Sequence, residues 1–495
     1  MFLLLSFPNE LIDAVISNLT DRPTLLALAQ ACQKLQPLAE AQLPRYICIR
    51  DGPSISRLTR VLEQPPWRVR AVEYLEVTPS MHSWKGVETM PVLVGRLGRL
   101  RSLKVEAPMI NRARKPEWWA DGVMDGFMDL FAGNGALGSL TSFTLHSHGT
   151  NSRFYNIKKV LPVFLSPTLR HLHLSCVDIS CATETFTAFG SESPRTPLET
   201  LILQRCRVES SALGEFQAIL SRPRALRSFT VLLDVDFRQL GMQLDQQRAH
   251  APNFLAAIQQ HSESLEYLRY MHRPINMPAR GSPEHFNSSL SSALSTLRQY
   301  SPGLSTFTRL HTLFVDYRSN FAELLLDKAL APPNLHTLGL TGLRYDYEQS
   351  WRHLPAYVTA IASATPFPHL RLHTKPDGLD IADVSKIFSR PVATNSDTPP
   401  HRDALHTLAN ALEKRSSIKL VCAHQRRHLA GLHPPFLYGE EMPHEAVIFD
   451  SEKLWVEDGG VDGRFEVQVY ATEEGERRWR WRGPFSGLGN SFWTE

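Results

Sequence analysis

Two histidines four residues apart are the sharpest chemical signal in the chain. His424-x3-His428 would place both imidazoles on one face of a helix, the spacing a divalent metal uses, and His433 and His444 follow. Three features argue against a metal centre. No glutamate follows the first histidine, Arg426 and Arg427 stand between the pair, and nothing supplies the outer carboxylates that orient metal-bound imidazoles. The remaining chemistry is thinner. Cys32, Cys48, Cys176, Cys181, Cys206 and Cys422 form no CxxC pair and sit mostly among aliphatic residues, as small buried thiols do. The carboxylate pairs Glu440-Glu441 and Glu473-Glu474 are sequence neighbours and read as solvated charge. Asp458-Gly459-Gly460 and Asp462-Gly463 read as turns. No GxSxG elbow, Walker loop or GxGxxG after a strand occurs. The expectation is a protein that is not an enzyme, with no metal and no cofactor.

A chain of 495 residues is too long for one compact core, so two or three domains or an elongated array must carry it. Its composition, 42% hydrophobic and 21% charged, is that of a folded globular chain. With 53 basic against 50 acidic residues it lacks the strong basic bias of a dedicated nucleic-acid surface. Arg477-Arg-Trp479-Arg-Trp481-Arg482 mixes tryptophan with arginine, yet it reads more simply as a strand edge than as a nucleic-acid contact. Met1 to Phe7 is apolar, but no basic segment precedes it and Pro8, Glu10 and Asp13 follow at once, so no signal peptide is expected. No apolar run approaches the roughly 20 residues that span a bilayer. The expected setting is the cytoplasm, the nucleus or both, away from membranes.

The first fifty residues carry three short amphipathic segments. Pro8 suits a first helical turn, and Leu11, Ile12, Val15, Ile16 and Leu19 recur behind it at helical spacing. Asp21 and Pro23 open a second helix with Leu25, Leu28, Cys32 and Leu35 on one stripe. Pro37 closes it or starts a third segment with Leu38, Ala41 and Leu43, and Tyr46-Ile-Cys-Ile49 reads as a strand. Helices this short cannot cover all their apolar surface by themselves.

From residue 72 onward one phrase recurs: apolar-x-x-apolar-x-apolar. It reads Val72-Glu-Tyr-Leu75-Glu-Val77 first, and its later copies begin at Leu100, Leu140, Leu169, Leu198, Leu226, Leu265, Leu310, Leu335 and Phe367. Four of the intervals are 28, 29, 29 and 28 residues; the others are 40, 39, 45, 25 and 32, so the array is irregular and carries insertions. The period-2 ending fits a strand with one buried face. Between phrases, Leu213, Phe216, Ile219 and Leu220, and later Phe254, Leu255 and Ile258, have helical spacing. A strand plus a returning helix in that period is the leucine-rich-repeat signature, and Cys206 takes its Asn/Cys place. Alternation predicts Leu172, Leu174, Leu201, Leu203, Leu338 and Leu340 beneath the sheet. It sends Tyr74, Glu76, Lys104, His171, His173, Ile202, Gln204, Tyr267, Arg269, Thr312, Phe314 and Asp316 to the other face.

Residues 376–403 are rich in Pro, Ser and Asp and read as a linker or long loop, with one helical turn near Val384–Phe388. Leu405, Leu408 and Leu412 mark a helix, Ile418 to Cys422 one more strand, and Phe465–Tyr470 with Arg477–Arg482 a hairpin. The expected class is therefore α/β, with three N-terminal helices (1–50), a curved solenoid with its parallel sheet inside and helices outside (51–375), the linker (376–403) and a C-terminal extension (404–495).

The N-terminal segment, Phe7-Pro8-x-Glu10-Leu11 followed by Ile16, Leu19, Leu25, Leu28, Cys32 and Leu35, resembles the F-box. Phe7 stands where that family commonly has leucine, and Leu35 where it has an aromatic residue; both keep an apolar side chain. The resemblance implies that Phe7, Pro8, Glu10, Leu11, Ile16, Leu19, Leu25, Leu28, Cys32 and Leu35 contact a Skp-type adaptor and, through it, a cullin–RING ubiquitin ligase. The solenoid would then hold an unknown protein target, through His173, Ile202, Tyr267, Arg269, Phe314 and Asp316. An alternative is a non-ligase scaffold whose N-terminal helices only cap the solenoid.

Overall fold

The structure is a computed structural model. It describes residues 5–19, 22–63, 67–78, 85–107, 119–133, 137–147, 154–187, 195–208, 214–235, 254–274, 302–317, 319–344, 348–375, 405, 407–412, 418–425, 445–450, 466–471 and 477–482. The described residues up to Leu310 form one compact unit and those from His311 onward another.

The first unit opens with three helices: α1 (Asn9–Ser17), α2 (Arg22–Ala31) and α3 (Gln36–Gln42). Pro8 sits at the N-cap of α1, and Pro37 falls in the first turn of α3, where a missing N–H is harmless. The second helix is shorter than the expected stripe, because the chain turns after Ala31 and Leu35 becomes the N-cap of α3. Asp21, the expected cap of α2, lies outside the described residues.

Strands then follow in the order of the phrases: β1 (Tyr46–Ile49), β2 (Tyr74–Val77), β3 (Ser102–Glu106), β4 (Ser142–His146), the short β5 (Tyr155–Asn156), β6 (His171–Ser175), the short β7 (Val177–Asp178), β8 (Thr200–Cys206), β9 (Ser228–Val235) and β10 (Tyr267–Pro274). Apart from β5 and β7, which pair with each other, each strand pairs in parallel with the next. Parallel pairing demands a return crossover between strands. The returns include α4 (Met90–Gly95), α5 (Asp125–Ala132), α6 (Leu161–Phe164), α7 (Glu215–Leu220) and a helical segment at 254–259.

From β2 onward each strand of the array that carries a phrase begins two residues into it, because the first apolar residue turns the chain inward. Those ten leading residues, Val72 to Phe367, are all buried. Alternate strand positions then face the returns: Phe143 lies 4.9 Å from Phe131 of α5, and Phe254 packs against Phe229 and Tyr270. Leu172, Leu174, Leu201, Leu203, Leu338 and Leu340 are buried as expected, and so is Cys206.

Just before the strands, one carbonyl per repeat accepts two backbone N–H groups from the next repeat. Arg45 O receives Glu73 and Tyr74, Glu73 O receives Arg101 and Ser102, and the pattern continues through Thr141, Arg170, Glu199 and Arg227. Except at the neutral Thr141, which stands between Arg101 and Arg170, the side chains at these positions alternate in sign. Glu73 pairs with Arg45 at 3.1 Å and faces Arg101 at 3.8 Å; further along, Glu199 pairs with Arg170, and Glu266 pairs with both Arg227 and Arg309.

The second unit repeats the plan with β11 (Thr312–Asp316), β12 (Thr337–Arg344), β13 (His369–Lys375) and β14 (Lys419–Gln425), all parallel. Helix α8 (Glu348–Ala364) returns between β12 and β13, burying Trp351, Leu354, Val358 and Ile361. Leu405, Leu408 and Leu412 are helical and buried before β14, so the array does run one strand beyond the tenth phrase. An antiparallel strand, β15 (Glu445–Asp450), follows β14; the sequence did not announce it. The hairpin is present as β16 (Glu466–Ala471) and β17 (Arg477–Arg482). The 376–403 linker, including Val384–Phe388, lies outside the described residues. Among the described residues no helix is long and apolar enough to cross a membrane.

Candidate binding surfaces

Helical periodicity decides which N-terminal residues face inward. Ile12 and Ile16 share one face of α1; Leu11 and Val15 share the next face round. Only one of these pairs can enter the three-helix core. Ile12, Ile16, Leu25 and Leu35 form that core, with Leu5, Leu19, Leu28, Cys32, Leu38 and Leu43 packed against it. Phe7, Leu11, Val15 and Leu26 remain between 42 and 53% exposed. Pro8 and Glu10 are exposed beside them.

The ten residues assigned to the adaptor therefore divide. Phe7, Pro8, Glu10 and Leu11 are available to a partner, while Leu19, Leu28 and Cys32 are half-buried. Ile16, Leu25 and Leu35 belong to the helical core, so the contact they were expected to make is corrected: they support the surface from beneath. Val15 and Leu26 are surface residues that the assignment omitted. The four-residue step from Leu11 to Val15 was the available clue; for Leu26, adjacent to buried Leu25, the clue was that neighbours on a helix point different ways. Arg45 joins this element to the repeats, donating from Nη1 to Ser17 O at 3.1 Å and from Nε to Glu73 at 3.1 Å. A guanidinium there also complements the negative end of α1.

The sheet face turned away from the core has three rows. The first runs Tyr46, Tyr74, Ser102, Ser142, His171, Thr200, Ser228 and Tyr267 in register. The second runs Cys48, Glu76, Lys104, Thr144, His173, Ile202, Thr230 and Arg269. The third runs Glu106, His146, Ser175, Gln204, Leu232 and Met271. His173, Ile202 and Arg269, three of the expected target contacts, thus share one row, and Tyr267 stands in the row beside Arg269. All four are half-buried.

Phe314 and Asp316 are corrected. Both lie in the second unit and are buried, 7 and 8% exposed. Their strand parity is as expected, but Gly339 stands opposite Phe314 on β12, and a Cβ there would lie 2.0 Å from the ring. The missing side chain lets the ring lie flat across β12 towards His373, 5.3 Å away. The Asp316 carboxylate likewise lies against Gly342, whose φ of +84° suits glycine.

Of the third row, Gln204 alone was expected on this face from the alternation; the other polar residues lie one position past their phrases. Glu106, His146 and Ser175 are buried on the non-core face at the ends of their strands. His146 Nδ1 and Ser175 Oγ share a hydrogen bond of 2.6 Å, the His146 and His173 rings meet edge-on at 4.6 Å, and His173 Nε2 lies 2.9 Å from Gln204 Oε1. Burial holds His146 well below the usual imidazole range, reinforced by His173 and Lys104. In the second row Glu76 accepts from Lys104 Nζ at 3.3 Å and from the Tyr46 hydroxyl at 3.0 Å. Burial pushes Glu106 up to about 9, with Lys104 opposing and Glu76 adding to the shift. Extending every phrase by one residue would have found this row.

His424 lies in β14 and not on a helix, while His428, His433 and the other residues to 444 are outside the described residues. Among the described residues no group of three or more His, Cys, Asp or Glu side chains is arranged to hold a metal ion. The side chains of the arginine–tryptophan hairpin are likewise not described. No protein-family model matches the chain, and no curated protein matches it.

Proposed function

We propose that the chain is a substrate-recognition adaptor of a cullin–RING ubiquitin ligase, docking on a Skp-type adaptor through its N-terminal helices and holding a target protein on its sheet face. The observation that carries the reading is the division of the first forty-odd residues. A small helical element completes its own core with Ile12, Ile16, Leu25 and Leu35 and still presents Phe7, Leu11, Val15 and Leu26 to solvent. A helical cap needs only an inward apolar face; an outward one suits a partner. The repeated parallel strands behind it supply a surface whose half-buried Tyr, Arg, His and Ile side chains have the composition of protein-binding sites.

In this reading the mechanism is proximity. The N-terminal helices fix the chain to the ligase, the sheet holds the target, and the target's lysines gain a high effective concentration near a ubiquitin-charged enzyme. The proposal gives the chain no catalytic step, and it gives the chain leucine-rich-repeat and F-box kinship on the sequence resemblance. The test is co-purification of the full chain with a Skp-type adaptor. Failure of the wild-type chain to bind under conditions where a known F-box protein does so would favour the scaffold reading.

A further inference from the structure

We propose that Glu106, with Glu76 beside it, anchors a basic side chain, lysine or arginine, of the protein held on the first unit's sheet face. The inference rests on the reading of that face as the target-binding surface.

Glu106 ends β3 on the non-core face, is only 3% exposed, and its Oε2 has no hydrogen-bond partner. A buried carboxyl oxygen without a partner is costly, and a native fold that keeps one calls for an explanation. The charges around it favour one class of ligand. Lys104, two residues earlier on the same strand, is held by Glu76 on β2, whose other oxygen takes the Tyr46 hydroxyl. Its Nζ therefore answers the first carboxylate of the face, and a second carboxylate remains. His146, level with Glu106 on β4, supplies no positive charge near neutral pH, and His173 on β6 is engaged with Gln204. An anionic ligand would meet two carboxyl groups. A cation brings the charge the site lacks.

Pairing has a proton consequence. With no ligand, Glu106 is a neutral acid at pH 7, since burial raises it to about 9. A basic side chain favours the carboxylate, so binding releases the Glu106 proton to solvent while the ligand keeps its own charge. The titratable and charged groups facing Glu106 are Lys104, Glu76, His146 and His173; His146 stays neutral across pH 7–9, so it does not share this proton.

The experiment uses the full chain and three capped hexapeptides, of lysine, arginine and glutamate. Calorimetry in two buffers of different ionisation enthalpy measures the proton count, and fluorescence anisotropy measures affinity from pH 7 to 9. The lysine or arginine peptide should bind and the glutamate peptide should not. Affinity should rise by up to about tenfold per pH unit as one proton is released. Glu106→Gln should weaken binding at least tenfold and abolish the pH slope, with the melting temperature unchanged near pH 4, where the acid is largely protonated folded and unfolded, and no lower than wild type at pH 7. Absence of basic-peptide binding to the wild type, or binding and slope retained in Glu106→Gln, overturns the anchor. The wild-type slope needs no variant, so a misfolded Glu106→Gln does not rescue the idea; a flat slope overturns it alone. Adaptor co-purification is measured on the same preparations. Its failure with the peptide result intact removes the ligase reading and leaves the anchor standing.

Discussion

Replacing Leu11 and Val15 together by aspartate tests the N-terminal surface most directly. Both residues are about half exposed, 53 and 51%. Fully burying a leucine or valine side chain stabilises by about 1.5–3 kcal/mol, so covering the exposed half of each contributes about 1 kcal/mol. Aspartate forfeits both contributions and places two carboxylates beneath the partner, adding at least about 2 kcal/mol of unpaired polar burial. The total, about 4 kcal/mol, is a loss of about a thousandfold in affinity for a Skp-type adaptor. Folding should change little, because surface substitutions stay within about 0.5 kcal/mol. Leu25→Ala is the contrasting change: its side chain is buried in the helical core, and its loss should cost about 2–5 kcal/mol of stability. Titration calorimetry with the adaptor and circular-dichroism melting separate the two effects. If the double aspartate variant binds within about threefold of wild type, the outward face is not the docking surface and the reasoning fails.

Leu174→Ala and Leu338→Ala should each lower stability by about 2–5 kcal/mol in chemical denaturation, because both side chains are fully buried beneath their sheets. Gly339→Ala should be destabilising through collision with the Phe314 ring, and Phe314→Ala in the same chain should recover part of the loss, a coupling that a double-mutant cycle reads directly. Gly342→Ala, at φ +84° and 2.6 Å from an Asp316 oxygen, should cost about 1–3 kcal/mol in the same assay. Glu106 binds its proton more tightly folded than unfolded, so its contribution is present at low pH and is lost as pH rises from the ordinary carboxylate range towards about 9. Glu106→Gln should therefore flatten the fall in stability between pH 7 and 9, a window in which His146 does not titrate.

The repeat was legible because its phrase joins two physical demands. An apolar residue must turn the chain inward at each corner, and alternate residues must then enter the core; Leu198, Leu201 and Leu203 satisfy both without reference to anything distant. The coverage of the opposite face was not legible. Parity places Phe314 there, but its burial depends on a residue that is absent, the side chain of Gly339, and on a register between strands 25 residues apart in sequence. At the N-terminus, spacing identified the apolar residues of α1 but could not choose between Ile12–Ile16 and Leu11–Val15, since that choice belongs to the two helices packed alongside. The strand β15 was missed for a related reason: Ala446 to Phe449 is a short apolar run, compatible with helix or strand until the edge of β14 decides it.

The alternating charges at the corners constrain how such an array can change length. From Arg170 through Glu199, Arg227 and Glu266 to Arg309, each corner residue meets one of opposite sign. Excising a single repeat, for instance the segment carrying Glu199, would seat Arg170 against Arg227; duplicating one would set glutamate beside glutamate or arginine beside arginine. Excising or copying two adjacent repeats restores the alternation. Each exposed pair is worth at most about 1 kcal/mol, so the rule is a bias and not a prohibition. That bias favours a change of two repeats at a time over a change of one in this stretch.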